Sequence, residues 1–223
     1  MNLMHPLRKR RLAGALLLVG FTAALVVTAG LVELHDEILE ASFRQGDRAI
    51  QSWMHRLATP MLTQVMLGLS WIGSPYALVP AVALAAGLLW WRRMKDDAVL
   101  VIAAALGGVA LNEVMKLYFK RLRPDVAWAF VHENSFSFPS GHSVLAMVMY
   151  GVIVYKAQNK LRSLWAKVAL QVGALLMVVG IGVSRVYLGV HYPSDVAAGY
   201  FVGAVWLAAV VVSDLCVQGR QQD

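Results

Sequence analysis

The sequence predicts an all-α fold, a polytopic membrane helix bundle with six transmembrane helices and an extra interfacial helix. Two observations lead to this prediction. The 223 residues are 59% hydrophobic and only 15% charged. The apolar residues also fall in long uncharged runs, each of a length that crosses a bilayer as one helix. Because backbone groups in lipid must be satisfied internally, helices are the expected form of such runs.

The first apolar run covers residues 12–32 and follows the basic residues Arg8, Lys9, Arg10 and Arg11. A basic start before an apolar stretch is also typical of a cleaved signal peptide. This run is longer than the apolar part of a signal peptide, and further spans follow it. We therefore expect a retained first transmembrane helix.

Residues 33–56 mix charged side chains with apolar ones. Leu34, Ile38 and Ala41 recur at helical spacing within this stretch. Such a pattern is typical of a helix that lies along the membrane surface. We expect a surface helix near the lipid headgroups.

Residues 57–91 contain no charged side chain, and a Gly-Ser-Pro triplet at residues 73–75 divides them. Glycine and proline together mark a break in a helix. We interpret residues 57–73 as a re-entrant or interfacial helix and residues 76–91 as the second span.

The remaining apolar runs predict four more spans, at residues 98–119, 140–155, 168–187 and 193–216. Neither an internal repeat nor a composition typical of a linker separates them. Residues 1–223 are therefore expected to form a single membrane-embedded domain, with the polar motifs within residues 116–195.

The formal net charge of +7 is explained by short basic loops, so we expect no nucleic acid partner. With six spans, the more basic side of the membrane carries residues 8–11, 92–95, 156–167 and 220. Loops rich in Lys and Arg face the cytoplasm. Both termini are therefore expected in the cytoplasm, and the motifs at the outer face of the cytoplasmic membrane.

The first polar motif is Lys116 followed, after six residues, by Arg123-Pro124. Lys116 lies near the end of a predicted span, where an ionisable side chain is costly and is often functional. A lysine that extends to the headgroups is the structural alternative. The nearby Arg123 favours a phosphate-binding role for Lys116. An arginine side chain can bind two phosphate oxygens at once, and a lysine adds a compact positive charge.

The second motif, Pro139-Ser140-Gly141-His142, directly precedes an apolar run. Free N–H groups and the dipole at a helix start favour an anion, and Gly141 lets the backbone approach it closely. The same residues also suit an ordinary helix start capped by Ser140. In the functional interpretation, His142 lies at the rim of an anion pocket.

The third motif begins with Ser184-Arg185 at the end of the fifth span and continues with His191 and Asp195. A spacing of four residues places His191 and Asp195 on one helix face. A carboxylate on one ring nitrogen fixes the tautomer and leaves the other nitrogen free to attack. Because a single His–Asp pair is common, the hypothesis depends on the agreement of all three motifs.

Together the motifs resemble the signature of the type-2 phosphatidic acid phosphatase family, which is related to vanadium haloperoxidases and bacterial acid phosphatases. The matching residues are Lys116, Arg123, Pro124, Pro139, Ser140, Gly141, His142, Ser184, Arg185, His191 and Asp195.

The resemblance implies that His191 is the nucleophile and forms a phosphohistidine. It also implies that His142 protonates the leaving group and that Asp195 orients His191. The residues that would hold the phosphate are Lys116, Arg123, Ser140, Gly141 and Arg185.

Phosphoryl transfer requires positioning and neutralisation of the phosphoryl oxygens. Three cations and helix-start amides can supply this without magnesium, and the nearby carboxylates are too scattered for a two-metal site. We expect no metal and no cofactor. Glu113 is expected either to pair with Lys116 or simply to pack. His132 and Glu133 could contact a lipid headgroup, but we favour their assignment to a solvated loop.

The expected partners are the bilayer and a lipid phosphate that enters between helices. The resemblance suggests undecaprenyl pyrophosphate, phosphatidylglycerophosphate, phosphatidic acid or diacylglycerol pyrophosphate, and the apolar spans do not choose among them. Two alternatives stay open: a lipid phosphotransferase that uses the same site, and a non-catalytic lipid carrier. The oligomeric state is unknown from the sequence.

Overall fold

Seven helices form the structure, a computed structural model that describes the backbone of residues 6–218 and the side chains of residues 12–30 and 45–218. The helices are α1 (Pro6–Arg56), α2 (Pro60–Ile72), α3 (Pro75–Trp91), α4 (Lys95–Phe119), α5 (Gly141–Gln158), α6 (Leu164–Tyr187) and α7 (Pro193–Gln218). Between residues 6 and 218 there is no strand. The all-α prediction is therefore confirmed.

Within the described part of the chain, four helices are long and apolar enough to cross a membrane: α4, α6, α7 and the stretch Leu12–Gly30 of α1. A fifth candidate is the pair α2 and α3, which bends by 44° at the break that the sequence predicts. A multi-pass membrane protein is thus confirmed, but six spans are not. Helix α5, the remaining predicted span, begins with His142 and Ser143 and ends with Lys156 and Gln158, so polar ends lower its mean hydropathy.

The surface helix predicted for residues 33–56 is not a separate element. Helix α1 continues without interruption from Pro6 to Arg56. The change from apolar to charged residues alters the surroundings that the helix prefers, but no proline or glycine cap ends it there. The predicted apolar face of Leu34, Ile38 and Ala41 lies outside the described side chains, as do the basic residues at positions 8–11 and 220.

Prolines set the starts of several helices. Pro60, Pro75 and Pro193 begin α2, α3 and α7, where the missing N–H of proline has no partner to lose. Thr59 caps α2 by accepting a hydrogen bond from the backbone of Leu62 at 3.2 Å. These starts agree with the helix boundaries that the sequence predicts.

The core lies where α4, α5 and α7 meet, around the buried residues Leu111, Val148 and Trp206. The Trp206 indole N–H donates to the carbonyl of Ala104 at 2.9 Å. Close packing of α7 on α5 requires Gly199, because a Cβ there would lie 2.8 Å from the carbonyl oxygen of Ser140. This contact brings the starts of α5 and α7 together.

A polar cluster joins α4, α5 and α7 at the end of the bundle that is opposite the starts of α5 and α7. Asp214 of α7 is 6% exposed and accepts hydrogen bonds from Tyr155 at 2.8 Å and Gln218 at 2.7 Å. Lys156 of α5 pairs with Asp214 at 2.5 Å and with Asp97 of α4 at 2.7 Å. The ends of α4 and α6 and the starts of α5 and α7, which carry the motifs, therefore lie at the other end.

Candidate active site

The three sequence motifs meet at one end of the bundle. Lys116 lies in the last turn of α4 and Arg185 in the last turn of α6. His142 lies in the first turn of α5, and Asp195 lies in the first turn of α7. His191 occupies the short connection before α7, so helix ends place all of these side chains around one point.

His191 and Asp195 form the predicted pair. The Nδ1 atom of His191 lies 3.4 Å from Oδ2 of Asp195, and the two side chains are 1% and 0% exposed. On the other side of the ring, Nη1 of Arg123 lies 3.1 Å from Nε2. Because a guanidinium only donates, Nε2 accepts and the ring proton lies on Nδ1. His191 therefore presents a lone pair at Nε2, toward Arg123.

Burial lowers the pKa of His191 to about 4, and the nearby Asp195 carboxylate opposes this shift only in part. The imidazole is therefore neutral at pH 7. A neutral ring with its proton fixed on Nδ1 is the form that can attack an electrophile.

Further donors fix the Asp195 carboxylate. Oδ2 accepts from the hydroxyl of Ser137 and from the backbone N–H of Tyr192 at 2.8 Å. Oδ1 accepts from Nη1 of Arg121 at 2.6 Å. The carboxylate thus accepts from three donors besides His191, which fixes its orientation.

Two arginines share one carboxylate beside His191. Nη2 of Arg123 lies 2.6 Å from Oε2 of Glu133, and Nη2 of Arg185 pairs with Oε1 of the same carboxylate. Burial acts to raise the pKa of Glu133, but Arg185 and Arg123 hold it below its usual range. The assignment of Glu133 to a solvated loop is therefore wrong, because two cations draw its carboxylate into the site.

The two arginines have further anchors. Nη1 of Arg185 donates to the hydroxyl of Ser70 on α2. Arg123 donates from Nε to the carbonyl of Ser135 at 2.7 Å and from Nη1 to that of Val190 at 2.8 Å. Both guanidinium groups are thus held in fixed positions around the Glu133 carboxylate.

Lys116 also reaches this end of the bundle. It is 8% exposed, and its Nζ donates to the hydroxyl of Ser135 at 3.2 Å. Glu113, one turn earlier on α4, accepts from the side chain of Asn112 at 2.9 Å. Lys116 is therefore turned toward the arginines, as the first motif predicts.

Ser140 and Gly141 form the start of α5 beside these cations. Ser140 is fully buried, and its N–H donates to the carbonyl of Asp195 at 3.0 Å. A Cβ on Gly141 would lie 3.0 Å from the Asn112 side chain, so the α5 start packs closely on α4. His142 follows and lines the same cavity as His191.

This cavity has a volume of about 1370 Å³ and extends from the site between α3 and α4. Its polar end includes Lys116, His142 and Arg185, and its apolar end reaches Ala86 of α3 and Ile102 of α4. Ile102 lies fourteen positions before Lys116, which corresponds to roughly 21 Å along the helix. We call this apolar extension the α3–α4 groove; it can hold a long hydrocarbon chain.

The sequence motifs did not include Asp47, Ser70, Arg121, Glu133 and Ser137. Arg121 was visible only as the residue two positions before Arg123, a spacing that places side chains on one side of an extended segment. The others lack any motif spacing, because their roles depend on the path of α1, α2 and the loop at residues 120–140.

Among the described side chains, those of residues 12–30 and 45–218, no group of three or more His, Cys, Asp and Glu is arranged to hold a metal ion. The cations of the site are Lys116, Arg121, Arg123 and Arg185. The described residues therefore place a group of cations, which can bind an anion, beside a neutral histidine.

Comparison with known proteins agrees with this geometry. Residues 97–215 match the model of the PAP2 superfamily. The chain is 36% identical over 162 residues to phosphatidylglycerophosphatase B of Bacillus subtilis, covering 72% of this chain and 79% of that protein. It is 28% identical over 159 residues to undecaprenyl-diphosphatase of Sulfolobus acidocaldarius, covering 68% and 69%.

A solved structure has the same fold. The crystal structure of a transmembrane PAP2 type phosphatidylglycerolphosphate phosphatase from Bacillus subtilis superimposes with a TM-score of 0.74 at 32% identity. The match covers 89% of this chain and 95% of that one. The family model covers the helices that carry all three motifs, and the chain therefore belongs to the PAP2 superfamily.

Proposed function

We propose that this PAP2 protein is a metal-independent lipid phosphatase in which His191 attacks phosphorus. The observation that carries the proposal is the position of His191 Nε2, whose lone pair faces Arg123 at 3.1 Å. Arg123 and Arg185 both bind one carboxylate beside it. A phosphoryl group held by the same two arginines would lie next to the attacking nitrogen.

In the first step, a bond forms between His191 Nε2 and phosphorus while the bond from phosphorus to the leaving oxygen breaks. Protonated His142 gives its proton to that oxygen, and Asp195 stabilises the charge that develops on His191. Lys116, Arg123, Arg185, the hydroxyl of Ser140 and the amide of Gly141 neutralise the phosphoryl oxygens.

In the second step, water attacks the phosphohistidine. An oxygen–phosphorus bond forms, the nitrogen–phosphorus bond breaks, and His142 accepts the proton of the water. Inorganic phosphate leaves, and Glu133 can again pair with Arg123 and Arg185. The cycle needs no group beyond the substrate, water and these side chains.

The substrate is a phosphomonoester or pyrophosphate on a lipid. Support comes from the α3–α4 groove, which joins the cations to a long apolar wall. Two relatives carry the names of a phosphatidylglycerophosphatase and an undecaprenyl-diphosphatase. Phosphatidylglycerophosphate and undecaprenyl pyrophosphate are accordingly the first substrates to test, with phosphatidic acid beside them.

For the membrane, we infer six spans, with α5 as the one that its hydropathy alone does not identify. The active site then lies at the outer face and both termini lie in the cytoplasm. The connections α3–α4 and α5–α6 at the end of the bundle opposite the site support this orientation, because basic loops favour the cytoplasm. They carry Arg92, Arg93, Lys95, Lys160 and Arg162.

Single cysteines test the orientation. In a Cys216→Ser background, Asn134→Cys and Asn159→Cys place exposed thiols at opposite ends of the bundle. An impermeant maleimide added to intact cells should label the first and not the second. The reverse pattern would contradict an outer active site.

Phosphate release by detergent-purified protein, with chelator present, tests the activity. Wild type and His191→Ala are compared on the three lipids, and acid quenching followed by phosphoamino acid analysis seeks phosphohistidine. Release by wild type alone is the expected result. Product that depends on an added acceptor would indicate a phosphotransferase, and lipid binding without turnover would indicate a carrier.

A further inference from the structure

Arg121 joins carboxylates from two elements that are far apart in the sequence. Its Nη1 donates to Oδ1 of Asp195 at 2.6 Å, and its Nη2 donates to Oδ2 of Asp47 at 2.9 Å. The Asp47 and Asp195 side chains are 5% and 0% exposed, while that of Arg121 is 29% exposed. One guanidinium thus bridges α1 and the catalytic carboxylate.

Asp47 holds the first turn of α7 as well as Arg121. It accepts from the backbone N–H of Ser194 at 3.0 Å and from the Ser194 hydroxyl at 2.5 Å. One helical turn further along α1, the Gln51 amide donates to the carbonyl of His191 at 3.4 Å. This face of α1 therefore hydrogen-bonds to the backbone on both sides of Tyr192, within the segment that carries His191 and Asp195.

Arg121 stays charged in this setting. Burial disfavours its charge, but attraction from Asp195 and hydrogen bonding to Asp47 raise the pKa of Arg121 above its ordinary value. The guanidinium also lies over the Tyr192 ring, with 4.4 Å between the guanidinium carbon and the ring centroid. The cation is thus fixed by its two carboxylates and by the ring that follows His191.

The bridge has a direct consequence for His191. Arg121 occupies Oδ1 of Asp195, which leaves Oδ2 for the Nδ1–H of His191. A cation on the carboxylate also draws negative charge away from the imidazole, and so opposes protonation of His191. Arg121 can therefore affect both the orientation of the ring and its basicity.

We propose that Arg121, held by Asp47, is a positioning residue that fixes the Asp195 carboxylate and keeps His191 neutral and aligned for attack. This inference rests on the proposed function, in which His191 is the nucleophile. A purely structural ion pair would tie α1 to α7 and affect folding, but it would not set the titration of His191.

The experiment compares Arg121→Gln, Arg121→Lys and Asp47→Asn with wild type. The matched control is Lys120→Gln, which removes a neighbouring exposed charge. Steady-state kinetics on the preferred lipid are measured as a function of pH, with thermal unfolding followed in the same detergent. The fraction of folded protein is thereby known for every variant.

Arg121→Gln should lower kcat by roughly 10- to 100-fold, because a misplaced nucleophile costs on this order. KM should change little, since Arg123 and Arg185 still bind the phosphate. The acid limb of the pH profile, in which kcat/KM falls as the pH decreases, should move to higher pH. The reason is that Asp195 without its cation stabilises protonated His191 more strongly.

The other two substitutions separate charge from geometry. Arg121→Lys keeps the cation but lacks the planar fork that binds two carboxylates, so its acid limb should stay near that of wild type while kcat falls. Asp47→Asn leaves Arg121 charged, so its acid limb should not move upward. Lys120→Gln should match wild type throughout.

A second readout does not depend on turnover. Protein labelled with ¹⁵N in histidine is titrated by NMR, and the His191 signals are identified by their loss in His191→Ala. A higher pKa of His191 in Arg121→Gln supports the inference. An unchanged pKa together with only a lower unfolding temperature would overturn it, whereas an inactive wild type with the shifted titration would instead contradict the proposed function.

Discussion

Arg123 donates to His191 Nε2 at 3.1 Å, so one cation of the site directly contacts the nitrogen that we propose attacks phosphorus. This contact fixes the proton on Nδ1, and Nδ1–H donates a hydrogen bond to Asp195. The same guanidinium carries the Glu133 ion pair at 2.6 Å. His191, Arg123 and Glu133 are therefore coupled in a single network, and a change at any one of them should be measurable at the others.

The first prediction concerns pH. The pKa of His191 is lowered to about 4 by burial, and the ring must be neutral to attack. The kcat/KM value should therefore persist well below pH 6.5, the ordinary histidine pKa, and fall as the pH decreases through about 4. A pH–rate profile on a stable lipid substrate measures this limb.

The lowered pKa of His191 also predicts how the stability of the folded protein depends on pH. Below the unfolded-state pKa, the unfolded chain binds a proton at His191 that the folded chain does not bind, so the stability of the folded protein decreases as the pH falls. His191→Phe removes this contribution and serves as the control. An acid limb near pH 6.5 would show that His191 titrates as an ordinary histidine.

The second prediction concerns Glu133. Glu133→Gln should free Arg123 and Arg185 from an internal anion that competes with the phosphate, so inorganic phosphate and vanadate should inhibit several-fold more strongly. The inhibition constants of wild type and variant measure this directly. Asp125→Asn, an exposed acid in the same loop, is the matched control for the lost negative charge.

Unchanged inhibition constants in Glu133→Gln would mean that the carboxylate does not compete for the arginines. A weaker inhibition would assign Glu133 a supporting role, in which it orients Arg123 and Arg185 for the substrate. Tighter inhibition in both variants alike would reflect net charge only.

Which parts of this architecture the sequence reveals depends on how local their signals are. Lys116, His142 and Asp195 lie at helix ends beside apolar runs, and helix ends are readable from prolines and from hydropathy. Their convergence in the structure agrees with the predicted motifs. The bend between α2 and α3 was also predictable, because a Gly-Ser-Pro triplet interrupts an uncharged run.

Other features depend on distant parts of the chain. Arg121 acquires its role only because α1 brings Asp47 to it, a separation of 74 residues. Glu133 looks like a loop residue until Arg185 from α6 pairs with it. The boundary predicted at residue 33 was wrong because a change in polarity does not by itself end a helix.

The third prediction concerns the contact between α5 and α7. Gly199→Ala would place a Cβ 2.8 Å from the carbonyl oxygen of Ser140, and a backbone atom cannot easily move aside. We expect a destabilisation of about 1–3 kcal/mol and a loss of activity, because Ser140 begins the turn that we propose binds the phosphate. Unfolding temperature and kcat in detergent check both.

Gly173→Ala on α6 is the control, since no atom lies within 4 Å of the added Cβ. It should leave the stability unchanged or raise it by up to about 1 kcal/mol, because alanine is the better helix former. Equal behaviour of the two variants would show that the α5–α7 contact tolerates a methyl group.

The fourth prediction separates stability from catalysis. Asp214→Asn removes the carboxylate that holds Lys156 and Tyr155 at the end of the bundle opposite the site. The unfolding temperature should fall by several degrees, while kcat/KM measured well below that temperature should stay near the wild-type value. A large loss of kcat/KM in the folded variant would reveal coupling between the two ends.

The last prediction tests the α3–α4 groove with Leu106→Trp. Leu106 lines the cavity and is 65% exposed, so a larger ring can enter the groove without disrupting the packed core. It lies ten positions before Lys116, roughly 15 Å along α4. Short acyl chains end before this distance, and long chains pass it.

The variant should therefore lose kcat/KM on a long-chain lipid phosphate and retain it on a short-chain analogue with the same headgroup. Val99→Trp, on the same helix at 56% exposure but outside the cavity lining, should keep both activities. Equal losses on short and long chains in Leu106→Trp would mean that the ring disturbs the phosphate site. Equal retention of both would mean that the lipid chain does not occupy this groove.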